Sequence, residues 1–303
     1  MQATKLMVSN HKVPSIKMQQ IGRKDNVIVD SAWITLSEWF RQRSGVIVLV
    51  SGGVDSSLLL VAAKSSQGQV IAVTADSPSL ARNEIESVKS FVAGQGVKHI
   101  LLTTDELDDE RYVRNSGDRC YYCKKALYRA IETQLPRIMQ LAPEAIVVDG
   151  TNKDDLRDHR PSLPASQEHG ILHPYVELQY GKTLIREMAR AQGLPMWNKP
   201  AMACLSSRIQ EGVPVSIGRL SLIEQAERII CDAGFWECRV RYHESGEGTH
   251  KQRIARIELP PEQLSSFALH PIHSELVQSI RALGFHHVTL DLEGYKRGGR
   301  ALP

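Results

Sequence analysis

No apolar run in the 303-residue chain approaches the length of a membrane-spanning helix, so no segment is expected to cross a bilayer. The first residues, Met1 to Gln20, also lack an apolar core of the signal-peptide kind. They mix Lys5, Lys12 and Lys17 with polar residues, and 1–24 read as a flexible tail. An excess of one charge is missing too. A net charge of +3 is too small to argue for nucleic acid, and no nucleic-acid partner is expected. Cysteine is scarce, with five in all, and with no secretion signal this suggests a reducing, cytoplasmic compartment. In that setting a Cys-x-x-Cys is more often a metal or redox site than a structural disulfide. A second such pair, the usual source of a four-ligand structural zinc site, is absent. Internal repeats and low-complexity tracts are absent as well, and so is the GxxxxGK[ST] pattern of a Walker loop. A hydrophobic content of 42% with 23% charged residues is ordinary for a globular protein, and the length suits one large domain plus a smaller one.

What is present centres on Val46 to Val50 and the Ser51-Gly52-Gly53-Val54-Asp55-Ser56-Ser57 that follows. The apolar, mostly β-branched run reads as a buried parallel strand. Two glycines and then Leu58 to Ala63 give the order strand, tight turn, helix N-terminus. Successive N–H groups in such a turn, with the partial positive charge of the helix start, suit an anion such as a phosphate chain.

The rest of the chain alternates. Trp33, Leu36, Trp39 and Phe40 lie at helical spacing ahead of the strand. Further strands are expected at Val70–Val73, Val97–Thr103 and Ala145–Val148, and helices at Ser56–Lys64, Leu80–Ala93 with a Gly94 cap, and Thr183–Gln192 with a Gly193 cap. This pattern predicts an α/β fold, a parallel sheet with helices on both faces, occupying 25–200. Ligands in such sheets bind at the carboxyl ends of the strands, where the glycine turn, the Thr74–Ser79 loop and the Asp149–Asn152 loop all fall. After Pro200 a helix at Val215–Gly234, antiparallel strands at Arg239–Tyr242 and Arg253–Leu259 joined by Glu244–Lys251, a helix from Pro260 to Leu283 and a strand at His287–Leu292 predict a smaller α+β domain, 201–303.

Cys120-Tyr121-Tyr122-Cys123 lies just ahead of a helical stretch, Lys124–Leu135, and Cys204 lies far along the chain. Cys231 and Cys238 read as small core residues. A histidine such as His159, His169 or His173 could complete a zinc site with the pair. Alternatively, the three thiolates of Cys120, Cys123 and Cys204 suit an iron–sulfur cluster with one iron left open to an exogenous ligand such as sulfide.

Ser51–Ser57 resembles the PP-loop of the ATP pyrophosphatases (adenine nucleotide alpha hydrolase-like fold). Together with Asp118–Tyr128 (DRCYYCKKALY), Asp149–Arg160 (DGTNKDDLRDHR) with Pro161, Trp197–Arg208 (WNKPAMACLSSR), Arg239–Tyr242 (RVRY) and Val288–Leu292 (VTLDL), the chain resembles the LarE family of ATP-dependent sulfur transferases in nickel-pincer cofactor biosynthesis. The resemblance implies adenylylation of a carboxylate on a pyridinium dicarboxylate mononucleotide, with release of pyrophosphate, and then replacement of AMP by sulfur. In one branch of the family, the cysteine corresponding to Cys204 gives up its own sulfur. The trio Cys120, Cys123 and Cys204 is similar to the other branch, which carries a [4Fe-4S] cluster.

On this resemblance, Gly52, Gly53 and Val54 N–H groups with the Ser51 and Ser56 hydroxyls hold pyrophosphate, and Asp55 places Mg²⁺ or caps the helix. Arg208, Arg239 and Arg241 are candidates for the substrate phosphate and carboxylates, and Arg239 and Arg241, two apart on a strand, share one face. Their alternative is a solvated strand face. Lys124 and Lys182 are further anion-site candidates, and Asp154, Asp155 and Arg160 order the Asp149 loop. The partners expected are a small nucleotide substrate, an unidentified sulfide donor and further copies of the chain in a homo-oligomer. One departure from the family is Gln210-Glu211-Gly212 after Ile209, where Pro-Tyr-Gly is usual. The competing functions are a tRNA thiolase, an amidating ligase of the NAD synthetase type, and a nucleotide-binding structural protein whose cysteines hold zinc.

Overall fold

A five-residue apolar strand with no polar face needs cover on both sides, and the sheet topology supplies it. The computed structural model describes residues 23–66, 68–142, 144–156, 163–200, 203–246 and 250–295. The expected tail up to Gly22, His159 and Arg160 lie outside the described residues. The first half runs α1 (Arg23–Arg41), β1 (Gly45–Leu49), α2 (Val54–Ala63), β2 (Gln69–Asp76), α3 (Arg82–Gly94), β3 (Lys98–Thr103), α4 (Glu110–Val113), α5 (Arg119–Leu141) and β4 (Ile146–Val148). Among the described residues β1 to β4 form a parallel sheet in the order β3-β2-β1-β4. The central strand β1 is buried throughout, and its side chains alternate between two cores. Val46 and Val48 pack with Leu36 and Phe40 of α1 and Leu58 to Leu60 of α2, while Ile47 and Leu49 pack with Tyr128, Ile131 and Ile138 of α5. Leu58, Leu59 and Leu60 are all fully buried, each worth about 1.5–3 kcal/mol. Thus α2 has no polar face to offer water. Chain order moves outward from β1 through β2 to β3, then returns to the other side of β1 with β4. The strand order therefore reverses between β1 and β4, where such sheets open a crevice at their carboxyl ends.

Helices α6 (Leu163–Glu168), α7 (Pro174–Glu177) and α8 (Lys182–Ala191) follow, and α8 completes the first core with Ile185, Met188 and Ala189. The second half holds α9 (Ile217–Asp232), β5 (Arg239–Ser245), β6 (Gln252–Glu258), α10 (Leu264–Ala268), α11 (His273–Ala282) and β7 (His287–Leu290). β5 and β6 are antiparallel, and β7 pairs parallel to β6. Leu220, Ile223, Ala226 and Ile230 of α9 cover this sheet. Its core also takes in Tyr112 of α4 and Leu205 and Ile209 from the Cys204 loop. None of the described helices is long and apolar enough to cross a membrane.

Four local expectations need correction. The Cys120–Cys123 pair is not ahead of a helix but in the first turn of α5. The expected single helix from Pro260 to Leu283 is divided into α10 and α11 on either side of Leu269–Ile272. Pro271 disfavours helical geometry at His270, which accounts for the break. Thr74 to Asp76 belong to β2 because pairing with β3 continues to Asp76↔Thr103. β5 likewise continues to Ser245, opposite Gln252, which shortens the expected Glu244–Lys251 loop.

Candidate active site

The turn after β1 is shaped by its own backbone. Gly52 is left-handed (φ 78°), and a Cβ there would lie 2.5 Å from Val88 Cγ2 of α3. Gly53 is the N-cap of α2, with no side-chain cap. Asp55 therefore does not cap the helix; it sits in the first turn, where its carboxylate pairs with Lys182 of α8. Ser56 Oγ closes the loop by accepting from Ser51 N–H at 3.1 Å. It lies 3.2 Å from Ser51 Oγ and donates to Gly53 carbonyl at 3.2 Å. The exposed Ser51 and the first-turn N–H groups of α2 face the sheet edge. Asp55 Oδ1 is buried with no hydrogen-bond partner, which fits a cation beside the phosphate site. The buried Tyr175 hydroxyl donates to the Asp55 carbonyl at 2.9 Å and fixes the turn from behind.

The loop after β4 lies against this turn. A Cβ on Gly150 would approach Ser56 N to 2.9 Å, so only glycine permits the contact. Asp149 Oδ1 accepts from Thr151 N–H at 2.9 Å and pairs with His173 Nδ1 at 2.7 Å. Burial would raise the Asp149 pKa, but the His173 bond, nearby Lys124 and the Thr151 bond outweigh it and bring it down to about 2. Ser166 Oγ stands 3.0 Å from His173 Nε2 and donates to Leu163 carbonyl at 2.7 Å. Both ring nitrogens of His173 are thus engaged. His169 instead pairs with Glu132 at 2.6 Å. Asp154 accepts from Lys182 N–H at 2.7 Å at the start of α8, and Asp155 accepts from Asn152 N–H at 3.1 Å. Both do order the loop. Lys182 meets Asp55, and Lys124 lies 5.8 Å from the Tyr128 ring centroid while acting on Asp149.

Cys204 and Cys120 both lie near enough to Cys123 to act on its thiol. Leu205 N–H bonds Ser79 carbonyl at 2.8 Å, which ties the Cys204 loop to the exit of β2. Ser79, Tyr112 and Ser206 hydroxyls reinforce it, with contacts of 2.5 to 2.7 Å. Burial pushes the Cys123 thiol well up; neighbouring Cys204 adds to this, then Glu106, while Lys124 opposes and Cys120 adds slightly. The Tyr112 hydroxyl is also raised, first by burial and then by Cys204 and Cys123. Among the described residues no three His, Cys, Asp or Glu side chains are grouped so that they could hold a metal ion. Cys120 is exposed, and Cys123 and Cys204 are half-buried.

Beside Cys204 lies a buried arginine cluster. Arg208, Arg239 and Arg241 are 1%, 7% and 2% exposed, so Arg239 and Arg241 do not form a solvated strand face. Arg208 pairs with Glu227 of α9 at 3.0 Å and donates to the carbonyls of Ala203 and Cys204. Arg241 pairs with Glu258 at 3.0 Å and donates to Ser207 carbonyl at 2.7 Å. Two guanidiniums thus hold the backbone that presents Cys204. Arg239 lies over the Tyr295 ring, 4.1 Å from its centroid. Burial, then Arg208, lowers its pKa, as expected for cations crowded out of water. Glu227, Glu258, Glu106 and Tyr112 were not singled out as active-site residues in the sequence, and His173 was weighed only as a zinc ligand. Glu227 carried one signal, a charge on the apolar stripe between Ile223 and Ile230. The Gln210-Glu211-Gly212 departure also has a structural setting: Gln210 N–H bonds Tyr242 carbonyl at 2.9 Å, extending β5 sideways.

A glycine turn at a strand-order reversal of a parallel sheet, beside paired lysine and aspartate, defines a nucleotide-loop α/β protein of the PP-loop class. The family described as "Queuosine biosynthesis protein QueC" matches residues 45–116, which include this loop. Over nearly its whole length the chain is 33% identical to the pyridinium-3,5-bisthiocarboxylic acid mononucleotide synthase of Lactiplantibacillus plantarum, covering 87% of this chain and 91% of that protein. It is also 38% identical to an uncharacterized protein of Synechocystis, covering 89% of this chain and 97% of the relative. An uncharacterized protein of Methanocaldococcus jannaschii is 27% identical over 86% of this chain and 94% of its own. The chain belongs to the LarE family.

Proposed function

We propose that the protein is an ATP-dependent sulfur transferase that converts a carboxylate of a pyridinium dicarboxylate mononucleotide to a thiocarboxylate. The observation that supports this reading is the glycine turn at the strand-order reversal of the parallel sheet, in a chain 33% identical over most of its length to the pyridinium-3,5-bisthiocarboxylic acid mononucleotide synthase. A tRNA thiolase would need a basic stripe with exposed aromatics, for which the net charge of +3 gives no support. An amidating ligase leaves the thiol group unexplained.

In the first step a carboxylate oxygen of the substrate attacks the α-phosphorus of ATP. The bond from that phosphorus to the bridging oxygen breaks, and pyrophosphate leaves. Gly52, Gly53 and Val54 N–H groups and the Ser51 hydroxyl receive the departing phosphates, with Ser56 holding the loop closed. Asp55 would hold Mg²⁺ through its unpartnered oxygen, and the ion would neutralise phosphate charge. Lys182 balances the same carboxylate, and Lys124 adds positive charge near Asp149. Arg239 receives an anionic group of the substrate, while Arg208 and Arg241 position the Cys204 loop. In the second step a sulfide adds to the acyl carbon and AMP leaves with the electron pair of the broken carbon–oxygen bond. Adenylate is the better leaving group because its charge is spread over a phosphate.

Cys120, Cys123 and Cys204 would hold a [4Fe-4S] cluster, whose remaining iron would carry the sulfide when the cluster is bound. The test separates the two steps. Pyrophosphate release that depends on the mononucleotide should survive Cys123→Ala, while thiocarboxylate formation is lost. Release in the absence of the mononucleotide, or thiolation unaffected by the variant, contradicts the assignment.

A further inference from the structure

Two cysteines have no part in the chemistry above. Cys231 is half-buried on the last turn of α9, and Cys238 is buried immediately before β5. Their sulfurs are 3.7 Å apart, and Cys238 Sγ is also 3.5 Å from Glu227 carbonyl. The intervening chain is fixed in this approach. Gly234 is left-handed (φ 96°), its N–H bonds Cys231 carbonyl at 2.9 Å, and Phe235 N–H returns to Ile230 carbonyl at 3.3 Å. The buried Phe235 ring then packs edge-on against Phe267, with centroids 5.0 Å apart. The fold itself therefore brings the two thiols together.

We propose that Cys231 and Cys238 are a modification site, forming an intramolecular disulfide by exchange with a low-molecular-weight disulfide. The inference does not depend on the sulfur-transferase reading. Moving from 3.7 Å to a bond of ~2.05 Å requires ~1.7 Å of sulfur travel, within the reach of side-chain rotation at two adjoining residues. Cys231 is the attacking thiol. It is the more exposed of the two, and the hydrogen bond from Cys238 outweighs burial to lower its pKa, whereas that bond and burial raise Cys238. Cys231 loses its proton and attacks one sulfur of the external disulfide, releasing the first thiolate. Cys238 then loses its proton and attacks Cys231 Sγ, releasing the second thiolate. The two cysteines lose two electrons, the external disulfide gains them, and the two protons end on the released thiols. The new bond joins the end of α9, which carries Glu227, to the start of β5, which carries Arg239.

The experiment equilibrates the full-length protein with reduced and oxidised glutathione, alkylates free thiols, digests, and quantifies the Cys231–Cys238 linked peptide by mass spectrometry. The same measurement is made in urea. The native chain should form the bond with an equilibrium constant at least tenfold larger than the unfolded chain, equivalent to about 1.4 kcal/mol of added native stability. Cys231→Ser should abolish the linked peptide in both states. A native constant equal to or below the unfolded one, or no linked peptide in the native protein at any glutathione ratio, overturns the proposal.

Discussion

Replacing Asp149 with asparagine keeps the side-chain shape and an oxygen to accept from Thr151 and His173, but removes the negative charge. That charge is what His173 and Lys124 stabilise, bringing the carboxyl from its ordinary 3.8 to about 2. At about 1.4 kcal/mol for each pH unit of displacement, the ionised form contributes about 2 kcal/mol to folding. A carboxyl with a lowered folded pKa gives its full contribution above the unfolded value, 3.8, and loses it as pH falls through about 2. Wild type should therefore exceed Asp149→Asn by about 2 kcal/mol at pH 7 and pH 5, and by roughly half of that at pH 3. Urea unfolding of both proteins at the three pH values measures this difference directly. Equal stability at pH 7, or a gap that stays undiminished at pH 3, refutes the account of Asp149 as a buried, charge-paired anchor for the β4 loop.

Other changes probe the remaining elements. Gly52→Ala should destabilise by about 1–2 kcal/mol from left-handed backbone alone, and more because its Cβ meets Val88, with nucleotide-dependent stabilisation lost in thermal unfolding. Tyr175→Phe removes the bond to Asp55 carbonyl and should cost about 1 kcal/mol in urea unfolding, with the sheet otherwise intact. Arg241→Met leaves buried Glu258 with Arg256 as its remaining ion-pair partner and Ser207 carbonyl without its donor, and should cost about 1–3 kcal/mol in urea unfolding. Anaerobically purified protein should contain iron and acid-labile sulfide, both lost in Cys120→Ala/Cys123→Ala/Cys204→Ala; stoichiometric zinc instead would support the structural reading.

The strands and the nucleotide turn were legible because local chemistry decides them. An apolar run such as Val46–Val50 cannot be half solvated, and the glycines that follow mark a turn wherever the chain lies. The helix break at Leu269–Ile272 was equally local, signalled by Pro271, but the amphipathic spacing on either side suggested continuity. The arginine cluster was legible only in part. Period two put Arg239 and Arg241 on one face, but Arg241 is buried against Glu258 from β6 and Arg208 against Glu227 from α9, which no spacing brings together. The same limit applies to Cys231 and Cys238, which read as bland core residues until the Gly234 turn sets their sulfurs side by side. His173 fitted a metal-ligand reading by type, yet its neighbours commit it to Asp149 and Ser166.

The origin of the transferred sulfur is tested most directly by intact-protein mass spectrometry after turnover with ATP, Mg²⁺, sulfide and the pyridinium dicarboxylate mononucleotide. The account predicts thiocarboxylate product together with a polypeptide whose mass is unchanged. A chain that has lost the sulfur of Cys204, in proportion to the product formed, would contradict it.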